Sequence, residues 1–353
     1  MFADDDCAES LDPLTPPRAL GGVSGSGCIK RTPEDFVVRE ILGFEPSGCG
    51  QHVLVHLRKR SVDTQWVAAQ LASCAAIAPG AVGYAGLKDR HAVAEQWFSL
   101  DLGGIGRTPD LSGLPASIET LAVHRHDRKL RIGALDSNAF EIRIDELRGV
   151  ETDRLVARIA MVRERGVPNY FGPQRFGRDG ANLELARRML VDRPGRGPRA
   201  QRAFAYSAAR SYLFNAVLAR RVAQQSWDRL TVGDLANRDG ANATFAVEAV
   251  DADLRRRERR LEIHPTGPLW GSGELETDGE VRRMELAVCG AHPLAIALED
   301  EGVARARRPL RLVVRELEWS MGQDGVRLSF RLRAGSHATS VLRELFEIRD
   351  AGA

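Results

Sequence analysis

The feature of this sequence that most constrains its fold is the order in which hydrophobic periodicities appear along the chain. Apolar residues first alternate with a period of two, as at Val53, Val55 and Leu57. In the middle third they recur at helical spacing, most clearly over residues 208–225. Towards the carboxyl terminus the period of two returns, over residues 326–332. Because a period of two marks half-buried strands and a period near 3.6 marks amphipathic helices, this order predicts a sheet, then helices, then sheet again.

An alternating section that returns after a helical interruption favours an α+β fold in which one domain is inserted into another. The predicted core is a mixed, mainly antiparallel sheet, and the predicted insertion is mostly helical. At about 100 to 200 residues per domain, 353 residues suit two such domains. We predict a loosely ordered lead-in over residues 1–27, because its acids, prolines and glycines cannot bury much apolar surface.

Composition excludes several classes of protein and indicates a compartment. With 43% hydrophobic and 28% charged residues, the chain is too apolar for a disordered protein, and no apolar run is long enough to cross a bilayer. The five cysteines include no CxxC pair, so we expect neither a disulfide framework nor a zinc site. The amino terminus is acidic, unlike a secretory signal. We therefore expect no targeting segment and a cytoplasmic location.

Most of the basic residues are arginine. The net charge of +2 argues weakly against a nucleic-acid partner, yet 46 of the 50 basic residues are arginine. The lysines are Lys30, Lys59, Lys88 and Lys129. Genome base composition can produce such a skew, but it makes any lysine close to a chemical motif informative.

The strongest local signal is a polar loop, Lys88-Asp89-Arg90-His91, between two strand-like apolar segments. Neighbouring cations favour the ionised form of a carboxylate, which a nucleophile or a general base requires. No second carboxylate lies nearby in sequence, so a mechanism with a single acid is favoured over a glycosidase-like pair. An exposed, salt-bridged turn would contain the same residues, and the spacing alone leaves both interpretations open.

Two further segments combine amides with aromatic rings. Residues 168–177 place aromatics, amides and Arg175 among glycines, a composition that suits base stacking and phosphate contact, or equally an ordered turn between domains. Asn138 and Phe140 lie one alternation apart at the start of a predicted strand. They suit an amide that reads a base edge and a ring that stacks on it, although a turn and a core ring would look the same.

Taken together and in order, these segments resemble the TruD family of tRNA pseudouridine synthases over nearly the whole chain. Six groups of residues support the resemblance: Lys30 with residues 33–40 (PEDFVVRE), residues 86–92 (GLKDRHA) with 95–97 (EQW), residues 129–133 (KLRIG) with 138–140 (NAF), residues 168–177 (PNYFGPQRFG), residues 207–210 (SAAR), and residues 334–344 (AGSHATSVLRE). The family has a pseudouridine-synthase core interrupted by an inserted domain. By resemblance, the catalytic domain comprises residues 28–163 and 308–353, and the inserted domain comprises residues 164–307.

The resemblance implies an enzyme that isomerises uridine to pseudouridine, at uridine 13 of certain tRNAs in bacterial members. Asp89 would be the catalytic aspartate, acting as a nucleophile on the sugar or as a base. Lys30 would be its charge partner, and Lys88 falls on the same site, where a compact ammonium can neutralise the aspartate. Phe36 and Asn138 would hold the base, and Phe140 would shape the pocket.

Other expectations concern the RNA and the protein's partners. His337 stands where family members commonly have an aromatic ring, and its imidazole can still stack on uracil. Arg175 and Arg90 are the expected RNA contacts. The resemblance implies tRNA as partner, with base flipping, and we expect no cofactor, no metal, no membrane association and a monomer. The alternatives are an RNA-binding or RNA-folding protein without catalysis, and a synthase that acts on a different RNA uridine.

Overall fold

The computed structural model describes residues 15–104, 106–177, 180–192, 198–323 and 325–352. This part of the chain divides into two compact units. The first, here called the sheet unit, contains residues 23–156, 314–338 and 345–353. The second, here called the helical unit, contains residues 157–313 and 339–344 together with the described residues up to Gly22.

Both units contain strands and helices. The strands are β1 (Ser26–Ile29), β2 (Phe36–Ile41), β3 (His52–Arg60), β4 (Val82–Tyr84), β5 (Val93–Asp101), β6 (Ile118–His126), β7 (Ser137–Arg148), β8 (Val167–Pro168), β9 (Leu235–Arg238), β10 (Thr244–Ala246), β11 (Ile263–Leu269), β12 (Ala306–Pro309), β13 (Arg311–Leu312), β14 (Arg315–Gly322), β15 (Gly325–Arg333) and β16 (Glu347–Asp350). The α-helices are α1 (Thr64–Cys74), α2 (Thr152–Arg165), α3 (Ala181–Ala186), α4 (Arg199–Ala223), α5 (Ala252–Arg259), α6 (Gly279–Cys289), α7 (Pro293–Asp300) and α8 (Ala338–Leu345). A π-helix, Arg187–Asp192, and short 3-10 helices at Pro33–Asp35, Pro79–Ala81 and Pro173–Arg175 complete the described elements.

The sheet unit is built on one ten-stranded sheet. Its main order is β14-β15-β7-β2-β5-β3-β6, with β1 joining β7 to β16 and β4 lying beside β5. The pairs β2–β5 and β1–β16 are parallel, and the other pairs in this sheet are antiparallel. The prediction of an α+β fold with a mixed, mainly antiparallel sheet is therefore confirmed. The late strands return to this sheet, as the repeated period of two indicates: β15 pairs with β7, and β14 pairs with β15.

Helix α1 covers one face of this sheet. Asp63 caps the helix by accepting a hydrogen bond from the backbone N–H of Trp66. The helix buries Val67 and Leu71 against the odd-numbered residues of β3, whose core-facing members are Val53, Val55 and Leu57. Strands β5, β2 and β7 continue this face of the sheet beyond α1. The candidate site lies beside that part of the face.

The helical unit is organised around α4, whose buried side includes Leu213 and Val217. It also contains a four-stranded sheet of order β10-β9-β11-β12 and a short pair of β13 with β8. The periodicity did not predict this sheet, because β11 has the sequence IHPTGPL and is buried on both sides without alternation. Among the described residues, no helix is long and apolar enough to span a membrane.

The predicted lead-in, residues 1–27, is described from residue 15 onwards. Residues 1–14 lie outside the described residues, so the prediction of loose order there stays a prediction. Of the remainder, Leu20 is buried, and the backbone N–H groups of Ala19 and Leu20 donate to the Glu344 carboxylate. Strand β1 begins at Ser26. The limits predicted for the inserted domain, residues 164–307, also stay a prediction.

Candidate active site

The polar loop that contains Asp89 lies between β4 and β5 in the sheet unit. Side chains of neighbouring elements hold its backbone in place. The Gln96 side chain accepts a hydrogen bond from the Thr64 hydroxyl (3.0 Å) and donates one to the carbonyl of Gly86 (2.7 Å). The Thr64 hydroxyl in turn accepts from the backbone N–H of Lys88 (3.0 Å). Because Gln96 and Thr64 are both buried, these bonds fix the loop to β5 and α1.

Asp89 forms an ion pair with Lys30. Their Oδ2 and Nζ atoms are 2.5 Å apart, and the other carboxylate oxygen accepts a hydrogen bond from the backbone N–H of His91 (3.0 Å). The same ammonium is 2.8 Å from Oδ2 of Asp350. The Lys30 side chain is only 3% exposed, whereas that of Asp89 is 23% exposed. A buried cation thus holds a carboxylate that solvent, and therefore a substrate, can reach.

The position of Lys30 follows from its neighbours in the sheet. It comes directly after β1, and the parallel pairing of β1 with β16 places Ile29 opposite Asp350. Burial acts to lower the pKa of Lys30, but the hydrogen bonds to Asp350 and Asp89 outweigh it, so the pKa is raised. The backbone of Lys30 is in the left-handed region (φ 58°), which is unfavourable for residues other than glycine. Strain of this sort is often found at functional sites.

Lys88 lies next to Asp89 in sequence but has a different partner. Its ammonium is 2.6 Å from Oε1 of Glu40, and neither side chain is more than 7% exposed. Oε2 of Glu40 accepts the backbone N–H of Trp97 (2.8 Å). Burial raises the pKa of Glu40, although Lys88 opposes the shift. The expectation that Lys88 neutralises Asp89 is therefore corrected: Lys30 is the lysine that contacts the carboxylate, and Lys88 ties the loop to β2.

Aromatic and amide side chains share one face of the sheet beside this ion pair. The pairing of β2 with β7 sets Phe140 opposite Val38 and Asn138 opposite Glu40. The ring of Phe36 meets that of Phe140 edge to face, with centroids 6.1 Å apart, and the Lys30 ammonium lies 5.0 Å from the Phe36 centroid.

Asn138 carries a buried polar atom on this face that has no hydrogen-bond partner among the described residues. The residue is 8% exposed, and the atom in question is its Oδ1. A buried acceptor without a partner requires an explanation. One explanation is that a bound ligand donates a hydrogen bond to it.

The remaining predicted residues are His337, Arg90 and Arg175. His337 is half-buried in the turn between β15 and α8. Arg90 is exposed beside Asp89. Arg175 belongs to the helical unit, where its guanidinium donates to the Ser207 hydroxyl (2.9 Å) and lies 5.3 Å from the Phe171 ring centroid.

Sequence reasoning did not find two residues that contact this group. Asp350 shares the Lys30 ammonium and had no motif to indicate it. Lys59 is fully buried, and its ammonium donates to the backbone carbonyl of Asp89 (2.9 Å). The alternation of β3 contains a signal for Lys59, because this lysine continues the core-facing row of Val53, Val55 and Leu57. A lysine in such a row is unusual and requires a partner.

Within the described ranges, no group of three or more histidine, cysteine, aspartate or glutamate side chains is arranged to hold a metal ion.

Comparisons with known proteins identify relatives along almost the entire chain. The family model of tRNA pseudouridine synthase D (TruD) matches residues 21–194 and 198–345. A tRNA pseudouridine synthase D from Methylococcus capsulatus is 48% identical over 339 residues, covering 95% of each chain. A relative of the same name from Nitrosococcus oceani is 43% identical and covers 92% of this chain and 91% of its own. Another, from Aeromonas hydrophila, is 41% identical and covers 94% of each chain.

A solved structure agrees with the fold. The crystal structure of a Methanosarcina mazei protein assigned to tRNA pseudouridine synthase D superposes with a TM-score of 0.70 and covers 96% of each chain. At 21% sequence identity, this likeness concerns the fold alone.

Proposed function

Because the chain belongs to the tRNA pseudouridine synthase D (TruD) family, we propose that it isomerises uridine 13 of tRNA to pseudouridine through the carboxylate of Asp89. The resemblance seen in the sequence motifs is confirmed by the family match, and the protein is a pseudouridine synthase, an isomerase. The residue assignment and the position in tRNA are our proposal.

One observation supports the assignment of Asp89 above the others. Its carboxylate is hydrogen-bonded to a buried ammonium and remains 23% exposed. The ion pair holds the carboxylate in place, and the exposure leaves it accessible to a flipped nucleoside. The nearby Glu40 is paired with Lys88 and its side chain is 0% exposed, so it cannot reach a substrate.

The reaction requires one group of this type and no redox partner. The N1–C1′ bond breaks, the uracil turns while it stays bound, and a C5–C1′ bond forms. The proton on C5 is then lost and N1 gains one, so atoms and electrons balance without a cofactor. An ionised Asp89 can begin the reaction by attacking C1′ or by removing a sugar proton to allow elimination. Both routes use the same carboxylate.

The face that carries Phe36, Phe140 and Asn138 suits recognition of the uracil. The aromatic edges offer apolar contact to the planar base. The unsatisfied Oδ1 of Asn138 is an acceptor, and the N3–H of uracil is a donor of matching chemistry. In this proposal His337, in the turn after β15, stacks on the base. Lys88 holds the loop in place through its ion pair with Glu40.

The target uridine must leave its stack to reach Asp89, so we propose that the enzyme flips it or uses a locally opened tRNA. Arg90 and Arg175 are exposed and serve as phosphate contacts. Locally basic surface is sufficient for this, even though the net charge is only +2. We propose that the protein works as a monomer in the cytoplasm, where its substrate is present.

The proposal is tested by mapping pseudouridine in tRNA after incubation with the wild-type protein and with Asp89→Asn. Asp110→Asn is the matched control, because Asp110 is exposed and lies outside the site. We expect modification at uridine 13 with the wild type and the control, and none with Asp89→Asn. Modification by Asp89→Asn would remove Asp89 from its role.

The same experiment separates the alternative functions. If tRNA binds to the wild type but stays unmodified, the protein is a non-catalytic RNA-binding protein. Mapping of total RNA would reveal a different target, because the modified uridine would then appear outside position 13 of tRNA.

A further inference from the structure

Lys59 is a buried lysine that the proposed reaction does not use directly. It lies on β3 with 0% of its surface exposed. The ammonium donates to two backbone carbonyls, those of Asp89 (2.9 Å) and Val62 (2.5 Å). Among the described residues it forms no ion pair, so its charge is compensated only by carbonyl dipoles and more distant groups.

Burying a charge in this way is costly. Burial lowers the pKa of Lys59 to about 8, opposed by the charges of Asp89 and Asp63 and reinforced by that of Lys88. A methionine of similar length would fill the same space without this cost. The presence of the ammonium therefore points to a task that an apolar side chain cannot perform.

We propose that Lys59 is a positioning residue for the isomerisation: it holds the backbone carbonyl of Asp89 and so keeps the carboxylate of the same residue directed at the substrate. The inference rests on the proposed function of Asp89. The backbone of this loop has other attachments at Gly86 and at the N–H of Lys88, but Lys59 is the side chain that fixes the peptide of Asp89 itself.

The geometry explains why small movements matter. Oδ2 of Asp89 is bound on one side by Lys30, and its carbonyl is bound on the other by Lys59, so the residue is held at both ends. A misplacement of about 1 Å at a reacting group can cost a factor of about 100 in rate. Bonds from a charged donor are also roughly twice as strong as neutral ones, so the ammonium holds the carbonyl more firmly than an amide or amine would.

The choice of lysine agrees with this role. The chain uses arginine at 46 of its 50 basic positions, yet Lys30 contacts the Asp89 carboxylate, Lys59 contacts its carbonyl and Lys88 belongs to its loop. A guanidinium is planar and larger than an ammonium, so an arginine would not bridge two carbonyls in the same closed space.

The test compares Lys59→Met with the wild type in single-turnover and steady-state assays on tRNA. We expect kcat to fall about 10- to 100-fold, with the tRNA Kd and KM unchanged within about threefold, because the substrate does not contact Lys59. Lys129→Met is the matched control, since the Lys129 ammonium also donates to a backbone carbonyl, that of Gly80, away from Asp89. We expect this control to keep the wild-type kcat.

A second variant and a pH profile keep the inference testable if Lys59→Met does not fold. Lys59→Gln keeps an N–H donor without the charge, and we expect it to retain part of kcat. Since the ammonium loses its proton near pH 8, the ratio of the wild-type rate to the Lys59→Gln rate should fall between pH 7 and 9. A ratio that stays constant over this range overturns the inference.

Failure of this inference is distinguishable from failure of the proposed function. If the wild type makes no pseudouridine, the proposed function fails. If the wild type is active and folded Lys59→Met has the same kcat, only the role of Lys59 is refuted. A loss of tRNA affinity with unchanged kcat would also contradict a positioning role.

Discussion

Replacement of Lys30 by methionine removes the ammonium that two carboxylates share. Its Nζ atom lies 2.5 Å from Asp89 and 2.8 Å from Asp350. At an effective dielectric constant of 20, each attraction amounts to roughly 6 kcal/mol before desolvation is subtracted. Removing one partner of a fully buried pair costs about 3–5 kcal/mol. Because the two carboxylates are 23% and 24% exposed, solvent compensates part of this loss, and we expect about 2–3 kcal/mol.

The same change affects the reaction. Without the ammonium, Asp89 faces Asp350 as a like charge and loses the contact that orients its Oδ2 atom. If a loss of about 2–3 kcal/mol falls on the reacting carboxylate, the rate decreases roughly 30- to 160-fold. Lys30→Arg keeps the charge, but the guanidinium is larger than the ammonium and the Lys30 side chain is only 3% exposed. We expect this variant to have an intermediate rate.

Two measurements on the same preparations test this prediction. Urea unfolding gives the change in the free energy of unfolding, and single-turnover conversion of tRNA gives the rate of the folded protein. Lys129→Met serves as the control for the loss of a lysine in the same unit. A Lys30→Met protein with wild-type stability and a rate within threefold of the wild type would refute the reasoning.

Other parts of the structure give further predictions. In Gly83→Ala the new Cβ would lie 2.5 Å from the carbonyl oxygen of Leu130, so we expect a lower melting temperature and a displaced loop; Gly80→Ala meets nothing within 4 Å and should melt like the wild type. Phe140→Ala should cost about 3–5 kcal/mol in urea unfolding because Phe140 is 7% exposed, and a cost below about 1 kcal/mol would contradict its packing. Between the folded pKa of Lys59, about 8, and its ordinary value of 10.5, the unfolded chain binds more protons, so this residue's contribution to stability increases with pH. From pH 7 to pH 9.5, the free energy of unfolding of the wild type minus that of Lys59→Met should rise by about 2 kcal/mol, and a fall would contradict the assignment.

Much of the sheet unit follows from local sequence patterns. The alternation in β3 and β15, and the cap at Asp63, predict elements that the structure contains. These signals are local because a strand with one buried face needs a period of two, and a helix start needs a cap. Strand β11 was missed for the opposite reason: it is buried on both faces and contains two prolines, so no alternation marks it.

The candidate site shows a different limit. A motif indicates Asp89, and resemblance to the family indicates Lys30, but which lysine meets the carboxylate depends on contacts between distant parts of the chain. Lys88 is adjacent in sequence and yet binds Glu40. Asp350 reaches Lys30 only because β16 pairs with β1, and such long-range pairing has no local signature.

The central claim is that Asp89 is the carboxylate that reacts, and Asp350 provides a direct test because it shares the same ammonium. The measurement is the single-turnover rate of uridine 13 conversion in tRNA by Asp89→Asn and by Asp350→Asn, each corrected for the folded fraction. Both variants remove one negative charge from Lys30, so they alter the ion pair alike. We predict that Asp89→Asn loses at least about 10⁴-fold in rate. Asp350→Asn should stay within about tenfold of the wild type, because it only weakens the hold on Lys30. Conversion by Asp89→Asn at a rate comparable to that of Asp350→Asn would contradict the account.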